Sequence, residues 1–274
     1  MTVEVYDKWG RGGLNVRACV GGNPGRCVTR ILQVRRPTFF RLRPRLPGNK
    51  QIVVSDDYQQ IVEHVRVQAG RPLLLATGDS EMQVLDDYLS SDLAHTAGAR
   101  VLGDARQSTA LTSPSVFNWT AHAEQQVVSD RPDLVAMFLG GNEGFAIDGT
   151  PCCSAAWSRL YARLVGRLMA TYRQHGAAAV YWFLIPTPRK PAFVTLVNAV
   201  NRGIIGAASR FPHGVHTFDL GPTFSPGGGY LDSLRYRGRS ITVHEADGFH
   251  LSASADQIVA HLFIARLRHD GLLP

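Results

Sequence analysis

From Arg71 onward, short apolar runs that end in turn-forming residues alternate with longer stretches of helical periodicity, and few architectures accept that order. The runs are 72–77, 99–102, Leu134–Leu139, Ala178–Ile185 and Val215–Leu220. Between them the pattern predicts helices from about Ser80 to Leu93, near Ala121–Ser129, over 154–175, and after Pro191 to about Arg210. Strands that alternate with helices predict a parallel sheet covered on both faces, because each crossover returns the chain along one face. The helix over 154–175 carries the clearest pattern. Trp157, Leu160, Tyr161, Leu164, Val165, Leu168, Met169 and Tyr172 recur at spacings of three and four, opposite Arg159, Arg163 and Arg167, and Gly176 follows as a stop. These aromatic residues read as core. Ser254 and Gln257 fit a capping box for a last helix, to about His269. The connection 221–249 contains Gly227-Gly-Gly229 and a short hairpin at 231–244, and a loop of that length is commonly functional.

The first fifty residues differ in kind. Val3-Glu-Val-Tyr6, Leu14–Val20 and Val28–Val34 carry β-branched residues between Gly-rich turns. Three strands are too few for an independent domain, so they are expected to pack on the main body. Pro44 and Pro47-Gly48 mark a linker, and Ser55 reads as the cap of a helix through about Gln68, ended by Gly70. The expected division is a basic β-rich extension, 1–50, and an α/β domain, 51–274, a size that one such domain fills. No run of 18 or more apolar residues occurs, so no membrane span is expected. Met1 leads straight into polar, strand-like sequence with no visible signal peptide, so a leader or anchor of an exported protein would lie outside this chain.

The net charge of +7 is unevenly placed: residues 1–50 carry +9 and the remainder −2. A basic segment can bind an acidic polymer, nucleic acid or an anionic surface, or can serve only as a solvated edge that discourages aggregation. No aromatic and basic residues interleave as in a stacking platform, so nucleic acid is not an expected partner. None of the four cysteines forms a C-x-x-C pair, which excludes the usual zinc-ribbon and redox spacings. Cys19 and Cys27 bracket a strong turn signal and are expected to close a hairpin, which implies an oxidising compartment. Cys152 and Cys153 can pair with each other or staple the N-terminal segment to the body. Four free thiols in a cytosolic protein is the alternative.

Three strand ends carry residues suited to chemistry. Gly78-Asp79-Ser80 follows the first run. Gly140-Gly141-Asn142-Glu143-Gly144 follows the third, and Asp247-Gly-Phe-His250 precedes the last helix. In a parallel sheet all three reach the same edge, where open α/β folds bind ligands. Each has a plain explanation alone: helix cap, turn former, one of ten histidines. Together they supply what acyl transfer needs. Ser80 serves as nucleophile, His250 as base and Asp247 as the group that orients the imidazole. The Asn142 amide and the Ser80 backbone N–H receive the oxyanion.

With these blocks in this order, residues 71–269 resemble the SGNH (GDSL-type) hydrolases. That family's signature is Ser in Gly-Asp-Ser, Gly in a second block, Asn in Gly-x-Asn-Asp and His in Asp-x-x-His, matched here by Ser80, Asn142, Asp247 and His250. The stretch Asp104–Trp119 is similar to a poorly characterised, envelope-associated bacterial branch. The resemblance implies a three-layer flavodoxin-like fold, strand order 2-1-3-4-5, and a mechanism without metal or cofactor. The implied activity removes small acyl groups, acetyl above all, from a carbohydrate or another envelope polymer. An acyltransferase using the same serine, and a non-catalytic glycan-binding module on the same frame, are the alternatives. The implied partners are an acylated carbohydrate or small ester, and an anionic envelope polymer at the basic segment. The implied location is secreted or envelope-associated.

The sequence departs from the family pattern at several positions. Ala110 stands where the branch has glycine, with Gly103 as rival for that oxyanion N–H. Glu143 replaces the usual Asp after Asn142 and is expected to support its loop by hydrogen bonds. Glu81 suits the first helical turn but would oppose oxyanion charge beside the nucleophile. Arg106 either contacts an acyl or sugar group or anchors its own loop.

Overall fold

The computed structural model describes residues 2–5, 13–20, 27–32, 38–42, 48–56, 59–67, 71–95 and 98–273. The chain divides into two compact units, Met1–Gly70 and Arg71–Leu273. Among its described residues the first holds six strands: β1 (Thr2–Val5), β2 (Asn15–Val20), β3 (Cys27–Ile31), β4 (Thr38–Arg41), β5 (Gly48–Ser55) and β6 (Gln60–Val67). An antiparallel sheet runs in the order β3-β2-β5-β6, and β1 pairs with β4. The alternation of β2 buries Val16, Ala18 and Val20 with Leu32, Phe40, Leu42 and Ile52 in a core of the unit's own. Cys19 lies opposite Cys27 in the β2–β3 register and is disulfide-bonded to it, as its flanking sequence predicts.

The helix expected from Ser55 to Gln68 is instead the β5–β6 hairpin, so the division expected after residue 50 falls inside β5. Two local causes outweigh a Ser cap. Ile52, Val53 and Val54 pair with Glu63, Val62 and Ile61, and β-branched residues favour that pleated pairing. Asp56 then closes the turn: its carboxylate accepts the Gln59 N–H at 2.7 Å, and its own N–H donates to the Gln59 carbonyl at 3.0 Å. The turn residues 21–26, Pro44 and Pro47 of the expected linker, and Gly70 lie outside the described residues.

The second unit contains β7 (Leu73–Gly78), α1 (Leu85–His95), β8 (Arg100–Ala105), α2 (Trp119–Ser129), β9 (Leu134–Phe138), α3 (Ala155–Arg173), β10 (Ala179–Leu184), α4 (Pro191–Ala208) and β11 (Val215–Asp219). A short α5 (Gly221–Phe224), the hairpin β12 (Ser233–Tyr236) and β13 (Arg239–Thr242), and α6 (Ala253–His269) complete it. The sheet order is β8-β7-β9-β10-β11, all parallel, which is the expected 2-1-3-4-5. Every residue of β9 and β10 is buried, as a sheet covered on both faces requires. Trp157, Tyr161, Val165, Leu168, Met169 and Tyr172 are all buried on α3. Among the described residues no helix is long and apolar enough to cross a membrane.

Three helix ends differ from the sequence reading. A 3-10 turn, Ser80–Met82, separates Ser80 from α1. Gln174, in the left-handed region at φ 50°, ends α3 at Arg173, two residues earlier than expected and ahead of Gly176. Ser252 caps α6, its hydroxyl accepting the Ala255 N–H at 3.2 Å, so Ser254 lies inside the helix. Cys152 and Cys153 are bonded to each other, one of the two pairings the sequence left open.

Candidate active site

The carboxyl ends of β7 and β9 are drawn together first. Gly78 packs so closely on the Phe138 carbonyl that a Cβ there would overlap it, and the Asp79 N–H donates to the same carbonyl at 3.0 Å. The Asp79 side chain is fully buried. One oxygen accepts the Glu81 N–H at 3.1 Å; the other accepts the N–H groups of Gly140 and Gly141 at 3.0 and 2.9 Å. Burial raises the Asp79 pKa, and these three backbone donors and His250 work against that. One carboxylate thus ties the Ser80 turn to the loop that carries Asn142.

The last turn brings His250 to Ser80. The Ser80 Oγ lies 2.9 Å from the His250 Nε2, and the His250 Nδ1 lies 2.5 Å from an Asp247 oxygen. The other Asp247 oxygen accepts the backbone N–H groups of Phe249 and His250 at 2.8 and 3.1 Å. Burial would raise the Asp247 pKa, but the imidazole bond and these N–H donors outweigh it and hold the carboxyl below its usual value. Arg189 holds this turn from outside. Its backbone N–H donates to the Gly248 carbonyl at 2.8 Å and its guanidinium to the Ala246 carbonyl at 2.5 Å. Gly248 sits at φ 71° against the Arg189 side chain, where a Cβ would overlap the guanidinium stem.

These groups open on one cavity of about 490 Å³, lined by Ser80, His250 and Asn142 together with Glu81, Gln107, Ser108, Glu245 and Asp256. The Asn142 Nδ2 is buried without a hydrogen-bond partner, a donor held free at the serine. Glu81 is buried too, its Oε1 3.8 Å from the His250 Nε2. Burial, with Asp79, Asp256 and Asp247 nearby, holds the Glu81 pKa well above the usual carboxylate value.

Two expected oxyanion positions do not line the cavity. Gly103 is inside β8, which runs three residues further than its apolar run implies, and a Cβ there would overlap the Asp86 carboxylate. Ala110 is buried behind the wall, which Gln107 and Ser108 form in its place. Ser108 adopts φ 56°, and no local pattern announces that. Glu143 supports its loop as expected. It accepts the Leu111 N–H at 2.7 Å, the Thr112 N–H at 2.9 Å, the Thr112 hydroxyl at 2.6 Å and the Tyr161 hydroxyl at 3.3 Å. Burial pushes its pKa up to about 7 against the pull of the Thr112 and Leu111 donors.

Arg106 takes the anchoring role of its two. Its guanidinium lies 2.7 Å from Asp104, whose other oxygen meets His122 and Gln126 at 2.8 Å each, and its backbone N–H donates to the Gly78 carbonyl at 2.8 Å. Sequence reasoning passed over Asp79 as a brace, Arg189 as a clamp, and Glu245 and Asp256 as cavity walls. Only Asp79 had a local signal, its place between the strand-ending glycine and the serine.

Residues 73–266 match the model of a family described as a protein of unknown function, DUF459, and the chain belongs to that family. No curated protein matches this sequence. Among solved structures, a family two carbohydrate esterase from Clostridium thermocellum in complex with cellohexaose is similar at 14% identity, covering 99% of this chain and 90% of that one, with a TM-score of 0.50. A salicylyl-acyltransferase from a tetracycline biosynthetic pathway is 14% identical over 96% of this chain and 77% of that one, with a TM-score of 0.49. A carbohydrate esterase family 2 enzyme with a carbohydrate-binding domain, from Corynascus thermopiles (Myceliophthora fergusii), is 14% identical over 93% of this chain and 88% of that one, with a TM-score of 0.44. The likeness to the family two carbohydrate esterase is one of fold.

Proposed function

We propose that the protein is a serine esterase that removes small acyl groups, acetyl first among them, from a hydroxylated, carbohydrate-like substrate. The observation that carries this is the relay at the cavity: Ser80 Oγ to His250 Nε2 at 2.9 Å, and His250 Nδ1 to Asp247 at 2.5 Å. The Ser80 oxygen attacks the acyl carbon while its proton passes to His250. Asp247 fixes the imidazole tautomer and stabilises the imidazolium. The buried Asn142 amide, with the Ser80 backbone N–H, takes the oxyanion. His250 then returns the proton to the departing alkoxide, leaving the acyl group on Ser80. Water, deprotonated by His250, repeats the sequence and frees the acid.

The bonded pairs Cys19–Cys27 and Cys152–Cys153 favour an oxidising location such as the cell envelope. Turnover of a short-chain aryl acetate by wild type, Ser80→Ala and His250→Ala tests the reading. Each substitution is expected to lower kcat by about 10³-fold or more. Equal rates in wild type and Ser80→Ala would end it. Acylation of a sugar added in excess, at the expense of free acid, would turn the assignment to a transferase.

A further inference from the structure

The cavity has a second half that the acyl-transfer steps leave unused. Its acids come from three places in the fold: Glu81 after β7, Glu245 in the loop before His250, and Asp256 in the first turn of α6. Among the described residues no Lys or Arg lines the cavity, although the chain as a whole carries +7. The one basic side chain among them is His250, already engaged by Ser80 and Asp247.

Two of the three acids are almost completely covered, Glu81 at 4% and Asp256 at 3% exposure. Each keeps one oxygen without a hydrogen-bond partner, Oε1 of Glu81 and Oδ1 of Asp256. Buried carboxyl oxygens left without a donor are costly, and natural sites retain them where a ligand supplies the donor. Burial and Glu245 push the Asp256 pKa up to about 8, and burial is also the main cause of the rise at Glu81. An ammonium beside them acts in the opposite direction and restores the carboxylates. The lining also includes Gln83, Gln107 and Ser108, which offer amide and hydroxyl partners for sugar hydroxyls. A volume of about 490 Å³ accommodates one monosaccharide ring.

We propose that this half of the cavity binds the alcohol portion of the ester, and that this portion is an amino sugar whose ammonium sits against Glu81, Glu245 and Asp256. The assignment to the alcohol end rests on the esterase reading; the preference for an ammonium does not.

Calorimetric or NMR titration with D-glucosamine and with D-glucose tests it without turnover, since the two differ by one ammonium for one hydroxyl. Glucosamine is expected to bind at least about tenfold more tightly at neutral pH, as befits a desolvated charge pair. Glu245→Gln and Asp256→Asn are each expected to cut that ratio about threefold or more. Equal affinities, no binding of either sugar, or a ratio unchanged in both variants would overturn the proposal. Should Asp256→Asn fail to fold, Glu245→Gln, at an exposed residue, carries the test. A glucosamine preference in a protein without aryl acetate turnover would refute the esterase reading alone. Turnover without the preference would refute this proposal alone.

Discussion

The two halves of the serine–histidine pair are held in different ways. On the nucleophile side the support is internal: Asp79 is fully buried and accepts three backbone N–H groups from two strand ends. On the base side the support is at the surface. Asp247 and His250 have side chains 46% and 41% exposed, and the guanidinium of Arg189 spans their turn. The serine side is therefore part of what makes the unit fold, while the histidine side is a loop aligned on a finished fold. Damage to the first is expected to appear as instability, and damage to the second as lost turnover in a stable protein.

Asp79→Ala breaks the contrast most severely. It leaves three N–H groups without their acceptor, at about 1–3 kcal/mol each when buried. Urea denaturation should show a loss of at least about 3 kcal/mol. A loss under about 1 kcal/mol would remove the distinction between the two halves. Glu143→Gln probes the same internal scaffold more gently. An amide cannot accept on both sides, so one donor group at Leu111 or Thr112 loses its partner, for about 1–2 kcal/mol by the same measurement.

Arg189→Ala sharpens the contrast from the other side. Stability should change by under about 1 kcal/mol, while kcat falls about tenfold with KM little altered, because only the alignment of His250 is loosened. A fall in stability matching that of Asp79→Ala would contradict it.

A last contrast is electrostatic. Asp86, Glu143 and Asp256 have folded-state pKa values raised to about 6, 7 and 8, with burial the first cause of each. The native state then holds protons that the unfolded chain has released, so stability falls as pH rises from the ordinary carboxylate range toward 8. Asp247 and Asp270 act with the opposite sign, since their lowered values lose stability only as pH falls below the ordinary range. The melting temperature of wild type should therefore be higher at pH 5 than at pH 8, with a flatter profile in Glu143→Gln. A profile that rises over that range would contradict the burial assigned to these acids.

The parallel sheet was legible because each of its strands is a short apolar run bounded by turns, and its order follows once the motif residues are required to share an edge. Ser80, Asn142 and His250 were legible for the same reason: each stands where a strand has just ended or a helix is about to begin. The hairpin of β5 and β6 was not, because a serine followed by mixed polar and apolar residues satisfies a helix pattern until cross-strand partners are known. Gly103 misled because a strand on the sheet's edge can run on through polar residues, so its apolar run stops short of its end. Asp256 and Glu245 carry no local mark. Their meaning comes from lining one cavity with Glu81, and that proximity belongs to the fold alone.

The three amides on Asp79 carry a consequence for motion. Glu81, Gly140 and Gly141 share a single acceptor, so none of them can exchange its hydrogen by an excursion of its own loop without straining the other two bonds. Their exchange rates should rise and fall together with temperature and denaturant, as one cooperative opening. The serine and its amide donor thus share a lifetime, and no excursion that keeps this carboxylate bonded exposes one without the other.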